Sequence, residues 1–208
     1  MAAAKVASAP QALRALFLLR KPSEARLDAF LRSQRNEPFS YKEVGASRDG
    51  ASKLDGYLVD HNRVRLGSGE DTFARAVEAL RDWRMFDVGW VRICRPDTSI
   101  EVGRTVAVLG SHYGFWSLNA CRIVYLIEED AVVRCSGFAY GTLPEHAESG
   151  EERFTVEWDR NGEVWYDLYA FSEPNSVLAK VGKPFARSLR RRFAQASMRA
   201  MARAVHQL

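Results

Sequence analysis

Cysteine is scarce in this chain, and what there is forms no pattern. Cys94, Cys121 and Cys135 make an odd number, and no two stand in CxxC spacing. That excludes a zinc ribbon or a CxxC redox centre and argues against a secreted disulfide scaffold. A reducing compartment fits better, and a cytoplasmic location is expected. The three thiols suit small apolar core positions. Long apolar runs near the start are missing too. The longest, Ala15 to Leu19, is too short for a signal-peptide core or a bilayer span. HExxH is absent. The pair His146 and Glu148 has the His-x-Glu spacing of zinc deaminases but lacks the downstream Pro-Cys-x-x-Cys. No nucleophile elbow, dinucleotide fingerprint or internal repeat occurs. Gly67-Ser68-Gly69 precedes a helix, but Glu70 and Asp71 put negative charge where a phosphate would sit. Neither a metal nor a cofactor is expected.

Acids are absent from both ends. Residues 1–23 hold Lys5, Arg14, Arg20 and Lys21, and residues 174–208 hold eight cations, with no Asp or Glu in either stretch. The 18 remaining cations face all 26 acids in residues 24–173, a net of −8 within a chain of +4. Basic termini lying against an acidic body explain this. Contact with anionic surfaces is the sharper reading, although no nucleic-acid motif accompanies the charge. The basic start shares its composition with organelle transit peptides. A flexible tail over residues 1–14, ahead of one domain at 15–208, is the simpler expectation.

What the sequence does contain is strand-forming residues and aromatics. Ser23 caps a first helix with Leu27, Phe30 and Leu31 on one face, closed by Pro38. Residues 39–56 read as a loop. GYLVDHNRVRL (56–66) reads as a hairpin or a strand pair turning at Asp60-His61-Asn62. Ser68-Gly-Glu-Asp71 predicts a capping box for a helix running to about Phe86. Strands follow at 90–94, 105–118, 121–127, 132–140, 152–158 and 164–171. Tight turns are expected at Glu129-Asp130 and at Asp159 to Gly162, where Asn-Gly is a strong hairpin signal. Asn175 or Ser176 starts a helix that Gly182 and Pro184 interrupt. Its continuation carries Phe185, Leu189, Phe193, Ala196, Met201 and Val205 as an apolar stripe. The expected class is α+β: a curved antiparallel sheet wrapped around a long C-terminal helix, with two short helices earlier in the chain.

The segments FSYKEVG (39–45), GYLVDHNRVRLGSGEDTFARA (56–76), RDWRMFDVGWV (81–91), RIVY (122–125), YGTLPEHAESGEERF (140–154) and RRFAQASMRAM (191–201) resemble those of the domain-of-unknown-function family numbered nineteen-ninety, found in bacteria and plants. The resemblance covers roughly residues 16–205. It implies a fold related to the START-like, pollen-allergen-like helix-grip superfamily, whose members mostly hold lipids or other apolar small molecules. It supplies no catalytic residues to carry over.

The richest cluster of candidate groups is His146, Glu148, Glu151 and Glu152, expected in a polar loop before the strand 152–158. Strand alternation puts Glu152 on the same side as Phe154, Val156 and Trp158, so it should face inward and be paired or proton-bearing. Arg122, His146, Tyr125 and Tyr140 are its expected neighbours, and Trp90 and Trp116 are candidate cavity walls. The leading expectation is binding of an apolar small molecule between sheet and helix. An acid–base enzyme using His146 and Glu152 is one alternative, and an adaptor contacting anionic surfaces through the Arg-rich terminal helix is another. The sequence sets no oligomeric state.

Overall fold

The computed structural model describes residues 18–48, 50, 54–175 and 183–206. Helix α1 (Glu24–Gln34) starts at Ser23, whose side chain accepts from the Arg26 N–H. Strand β1 (Leu58–Ser68) is followed by α2 (Glu70–Arg81), a 3-10 turn (Arg84–Phe86) and β2 (Val91–Ile93). Strands β3 (Thr105–His112), β4 (Phe115–Asp130), β5 (Arg134–Thr142), β6 (Glu148–Trp158) and β7 (Glu163–Pro174) then run consecutively, and α3 (Lys183–His206) closes the chain. Every strand pairing is antiparallel, in the order β1-β7-β6-β5-β4-β3-β2. The meander β2–β7 is therefore extended by β1 at the far edge, and the sheet grips α3 as expected.

Alternation along each strand sorts side chains between two faces. The inner face carries Val106, Val108, Phe138, Phe154, Val156, Tyr166 and Leu168, packed with Ala194, Met201 and Val205 of α3 and with Phe73, Leu80, Trp83 and Phe86. Each such side chain contributes about 1.5–3 kcal/mol by leaving water. On the outer face α1 sets Leu27 against Ala107, Leu109 and Leu118. Phe39, Tyr41, Ala46, Leu54 and Tyr57 pack with Tyr169 and Phe171 there.

Several sequence expectations need correction. Residues 58–68 form one strand with no turn at Asp60-His61-Asn62, because β7 pairs with it from Leu58 to Ser68, with one register shift between Arg65 and Gly67. The capping residue of α2 is Gly69, with φ 86 and no side-chain cap, so the Ser68 hydroxyl does not cap it. That helix ends at Arg81, and Trp83 with φ 58 redirects the chain. The single strand expected over 105–118 breaks into a hairpin: Tyr113 and Gly114 have φ 48 and 83, the positive pair of a tight two-residue turn. Its second half instead joins 121–127 in β4. Glu129 and Asp130 belong to β4 rather than a turn. Strand β6 begins at Glu148, so Glu148 and Glu151, expected in the loop, stand on the same strand as Glu152. Pro184 falls in the first turn of α3 as expected. Asn175 begins no helix but donates its side-chain amide to the Pro144 and His146 carbonyls; Ser176 and the tail 1–14 lie outside the described residues. Among the described residues no helix is long and apolar enough to cross a membrane.

Candidate functional site

Four neighbouring strands bring Asp60, Ala170, Glu152 and Tyr140 into one cross-strand row. Strand alternation makes this an inner-face row, continuous with Phe154 and Phe138 two residues along. The Tyr140 hydroxyl donates to Glu152 Oε2 at 2.6 Å. Burial pushes the Glu152 carboxyl up to about 7. The Tyr140 bond and the Arg190 charge pull it down, and Glu148 and Asp60 push it up. The same burial, then the Glu152 charge, drives the Tyr140 phenol far above its ordinary range. Glu152 therefore changes protonation near neutrality, while Tyr140 stays a donor throughout.

Arg190 of α3 enters beside this row. It donates to the Ser172 hydroxyl, which donates in turn to Glu148 Oε2 at 3.2 Å. Its Nε lies 3.5 Å from a Glu148 oxygen and 3.7 Å from an Asp60 oxygen, yet forms no hydrogen bond and is buried. Burial pushes the Glu148 carboxyl up as well, against the pull of Arg190. Three carboxylates, one guanidinium and one phenol thus meet at one end of the sheet–helix interface. Beyond them the interface is filled with rings. Phe86 approaches Tyr140, Phe154 and Phe193 at 6.4, 5.8 and 5.3 Å between centroids, and Phe138 stacks on Phe154 at 5.3 Å.

Of the expected neighbours, Tyr140 alone meets Glu152 directly. Arg122 projects from the outer face, donating to the carbonyls of Gln34, Arg35 and Glu37 and so closing the end of α1. Tyr125 also lies outside, where its hydroxyl meets Ser47 Oγ at 2.6 Å. A bulge between Ile123 and Tyr125 reverses the alternation that would have turned it inward. The His146 ring is committed to its own turn, with Nδ1 3.0 Å from the Glu148 N–H, and it makes no hydrogen bond to Glu152. Burial holds that ring down to about 4, so it is neutral at physiological pH. Trp116 packs outside with α1. Trp90 stands beside α3, under the Arg192 guanidinium at 4.6 Å. Neither tryptophan touches the Glu152 row. Among the described residues no three His, Cys, Asp or Glu side chains, the carboxylates of this row included, are arranged to hold a metal ion.

The sequence placed Glu151 in the candidate cluster but gave no sign of its partners, which are more numerous than those of Glu152. Glu151 points outward, is 2% exposed, and accepts from Tyr41 Oη at 2.7 Å, Gly45 N at 2.8 Å, Ser47 N at 3.0 Å and the Ser47 hydroxyl. Next to it Arg153 donates to the carbonyls of Ser47 and Arg48, both at 2.9 Å, and pairs with Asp167 at 3.1 Å. Asp167 also takes His61 Nε2 at 2.6 Å. These groups clasp residues 41–48 onto the outer face. Gly141 gives Tyr41 its place, since a Cβ there would stand 2.1 Å from the Tyr41 oxygen. The polar FSYKEVG motif inside an otherwise irregular stretch was the available signal. The Arg190 contact had no counterpart in the sequence pattern.

Comparison with known proteins gives the chain a family. Residues 40–200 match the family described as Domain of unknown function (DUF1990). A UPF0548 protein of Dictyostelium discoideum is 36% identical over 91% of this chain and 96% of its own length. Another from Deinococcus radiodurans is 38% identical over 91% and 98%. Among solved structures, hypothetical protein jhp0584 from Helicobacter pylori is similar with a TM-score of 0.47 and 15% identity, over 73% of this chain and 88% of that one. A Thalictrum norcoclaurine synthase point mutant gives a TM-score of 0.45 and 12% identity, over 73% and 95%. With the family match spanning the sheet and most of α3, and with those two relatives aligned almost end to end, the protein belongs to the DUF1990 family.

Proposed function

We propose that this protein binds a small amphipathic molecule at the Glu152 end of the sheet–helix interface. The observation that carries the reading is the Tyr140–Glu152 hydrogen bond set among apolar side chains. A carboxyl that ionises near neutrality gives a polar head an acceptor, and the Tyr140 hydroxyl, whose proton goes to Glu152, offers it a lone pair. The buried Arg190 Nε, near Glu148 and Asp60 but hydrogen-bonded to neither, adds a donor that a bound head group would satisfy. The ring cluster around Phe86 takes the middle of the interface, so the apolar part of the ligand is short or lies toward the rim. This departs from the expectation of a cavity walled by Trp90 and Trp116.

Native mass spectrometry of the full chain purified from its own host tests the reading. Wild-type protein should carry a co-purifying small molecule, and Tyr140→Phe, which removes one hydroxyl, should carry about tenfold less if one hydrogen bond to a charged group is lost. Protein free of any adduct, or equal occupancy in both, counts against it.

The Glu152 carboxyl near 7 favours one second reading, proton transfer on a bound molecule. Here Glu152 would be the base, held in place by the Tyr140 hydroxyl. His146, neutral and bonded to its own turn, has no part in it.

A further inference from the structure

Several cations on this surface are neutralised. Arg63 pairs with Glu157, Arg65 with Glu163, Arg95 with Glu24 and Asp28, and Arg134 with Glu70 and Asp130. One stretch of α3 differs. Arg192, Ala196, Arg199 and Arg203 follow at offsets of four, seven and eleven, which puts them on one side of the helix. Val88 and Trp90 face them from the segment between the 3-10 turn and β2. These six residues line a groove of about 240 Å³, far more than the roughly 30 Å³ of one water. Its lining has three guanidinium groups and no acid. The nearby Asp87 carboxylate is already taken by Arg84 at 3.2 Å.

Two of the three arginines are held in place. Arg192 has its guanidinium carbon over the Trp90 ring, 4.6 Å from the centroid, and the His112 ring stands edge-on to that same ring at 5.0 Å, fixing the platform. Arg203 donates to the Asp87 carbonyl at 3.1 Å. Arg199 forms no hydrogen bond or ion pair among the described residues. Three like charges sharing a concavity repel one another, and an anion placed between them relieves that cost. Guanidinium forks match the tetrahedral oxygens of phosphate, and arginines already held lose less freedom on binding.

We propose that this groove binds a phosphate ester group. The ester is either a small soluble molecule or the exposed headgroup of a phospholipid. The inference is independent of the Glu152 reading.

The full chain is titrated with glycerol 3-phosphate at fixed ionic strength, with glycerol as the blank, following the Trp90 indole N–H by NMR. In parallel it is co-sedimented with vesicles of phosphatidic acid in phosphatidylcholine and with phosphatidylcholine alone. Saturable binding is expected in at least one arm, weakened about tenfold by Arg199→Gln or Arg192→Gln and unchanged by Glu152→Gln. Response to the soluble ester identifies a free ligand, and response to phosphatidic acid vesicles alone identifies a lipid headgroup. The proposal is overturned if neither arm saturates, or if the Arg192→Gln/Arg199→Gln double variant binds like wild type. Both residues are exposed, so these variants keep their fold.

Discussion

Replacing Glu152 with Gln should make the protein more stable at pH 8 and leave it nearly unchanged at pH 5. The glutamate carboxyl titrates at 4.5 when unfolded and at about 7 when folded, with burial the main cause. Between those values the native chain holds a proton that the unfolded chain has released, so stability falls as pH rises through this window and is flat above it. At 1.36 kcal/mol per decade the full displacement amounts to about 3 kcal/mol. Glu152 keeps partial solvent access, which reduces the expected loss to about 1–2 kcal/mol. Gln cannot ionise, and its carbonyl still accepts from Tyr140, so the variant removes the loss while keeping the bond. For a chain of 208 residues, melting at pH 8 should rise by about 3–6 °C. Urea midpoints and calorimetry of both proteins from pH 5 to 8 measure it. A gap that stays constant with pH, or widens toward pH 5, would refute the account of Glu152 as a carboxyl ionised at a cost. A gain in stability together with loss of a co-purifying ligand would mark a site where function is kept at the expense of stability.

Glu151→Ala should cost about 3–5 kcal/mol, because it strands the buried donors of Tyr41, Gly45 and Ser47. Hydrogen exchange should quicken first at residues 41–48, and uniform exchange across the sheet would contradict the clasp. His146→Gln should flatten the acid limb of stability. The folded ring titrates near 4 against 6.5 when unfolded, so wild type loses stability as pH falls through that window, and this slope opposes the one from Glu152. Chemical denaturation of both proteins from pH 4 to 7 measures the difference, and parallel curves would count against a buried neutral His146.

The inward direction of Glu152 was legible from period-two alternation alone, since Phe154, Val156 and Trp158 share its parity and a half-buried strand enforces it. The order of helices, meander and terminal helix followed from apolar periodicity in the same way. Tyr125 was not legible, because one inserted residue at the β4 bulge reverses parity without any signal in composition. The strand at 58–68 was read as two, because its polar middle, Asp60-His61-Asn62, looks like a turn until β7 supplies partners from Leu58 to Ser68. The unlike fates of Glu151 and Glu152 show the same limit. Adjacent and chemically identical, they differ because one meets the backbone of residues 41–48 and the other meets Tyr140 and the ring core. The partners that Arg122, Arg190 and Trp90 find lie tens of residues away in sequence. Local sequence therefore determined elements and faces, which depend on near neighbours and short periods. Tertiary structure decided the partners, because hydrogen bonds and charge pairs depend on distances of a few ångströms between distant segments.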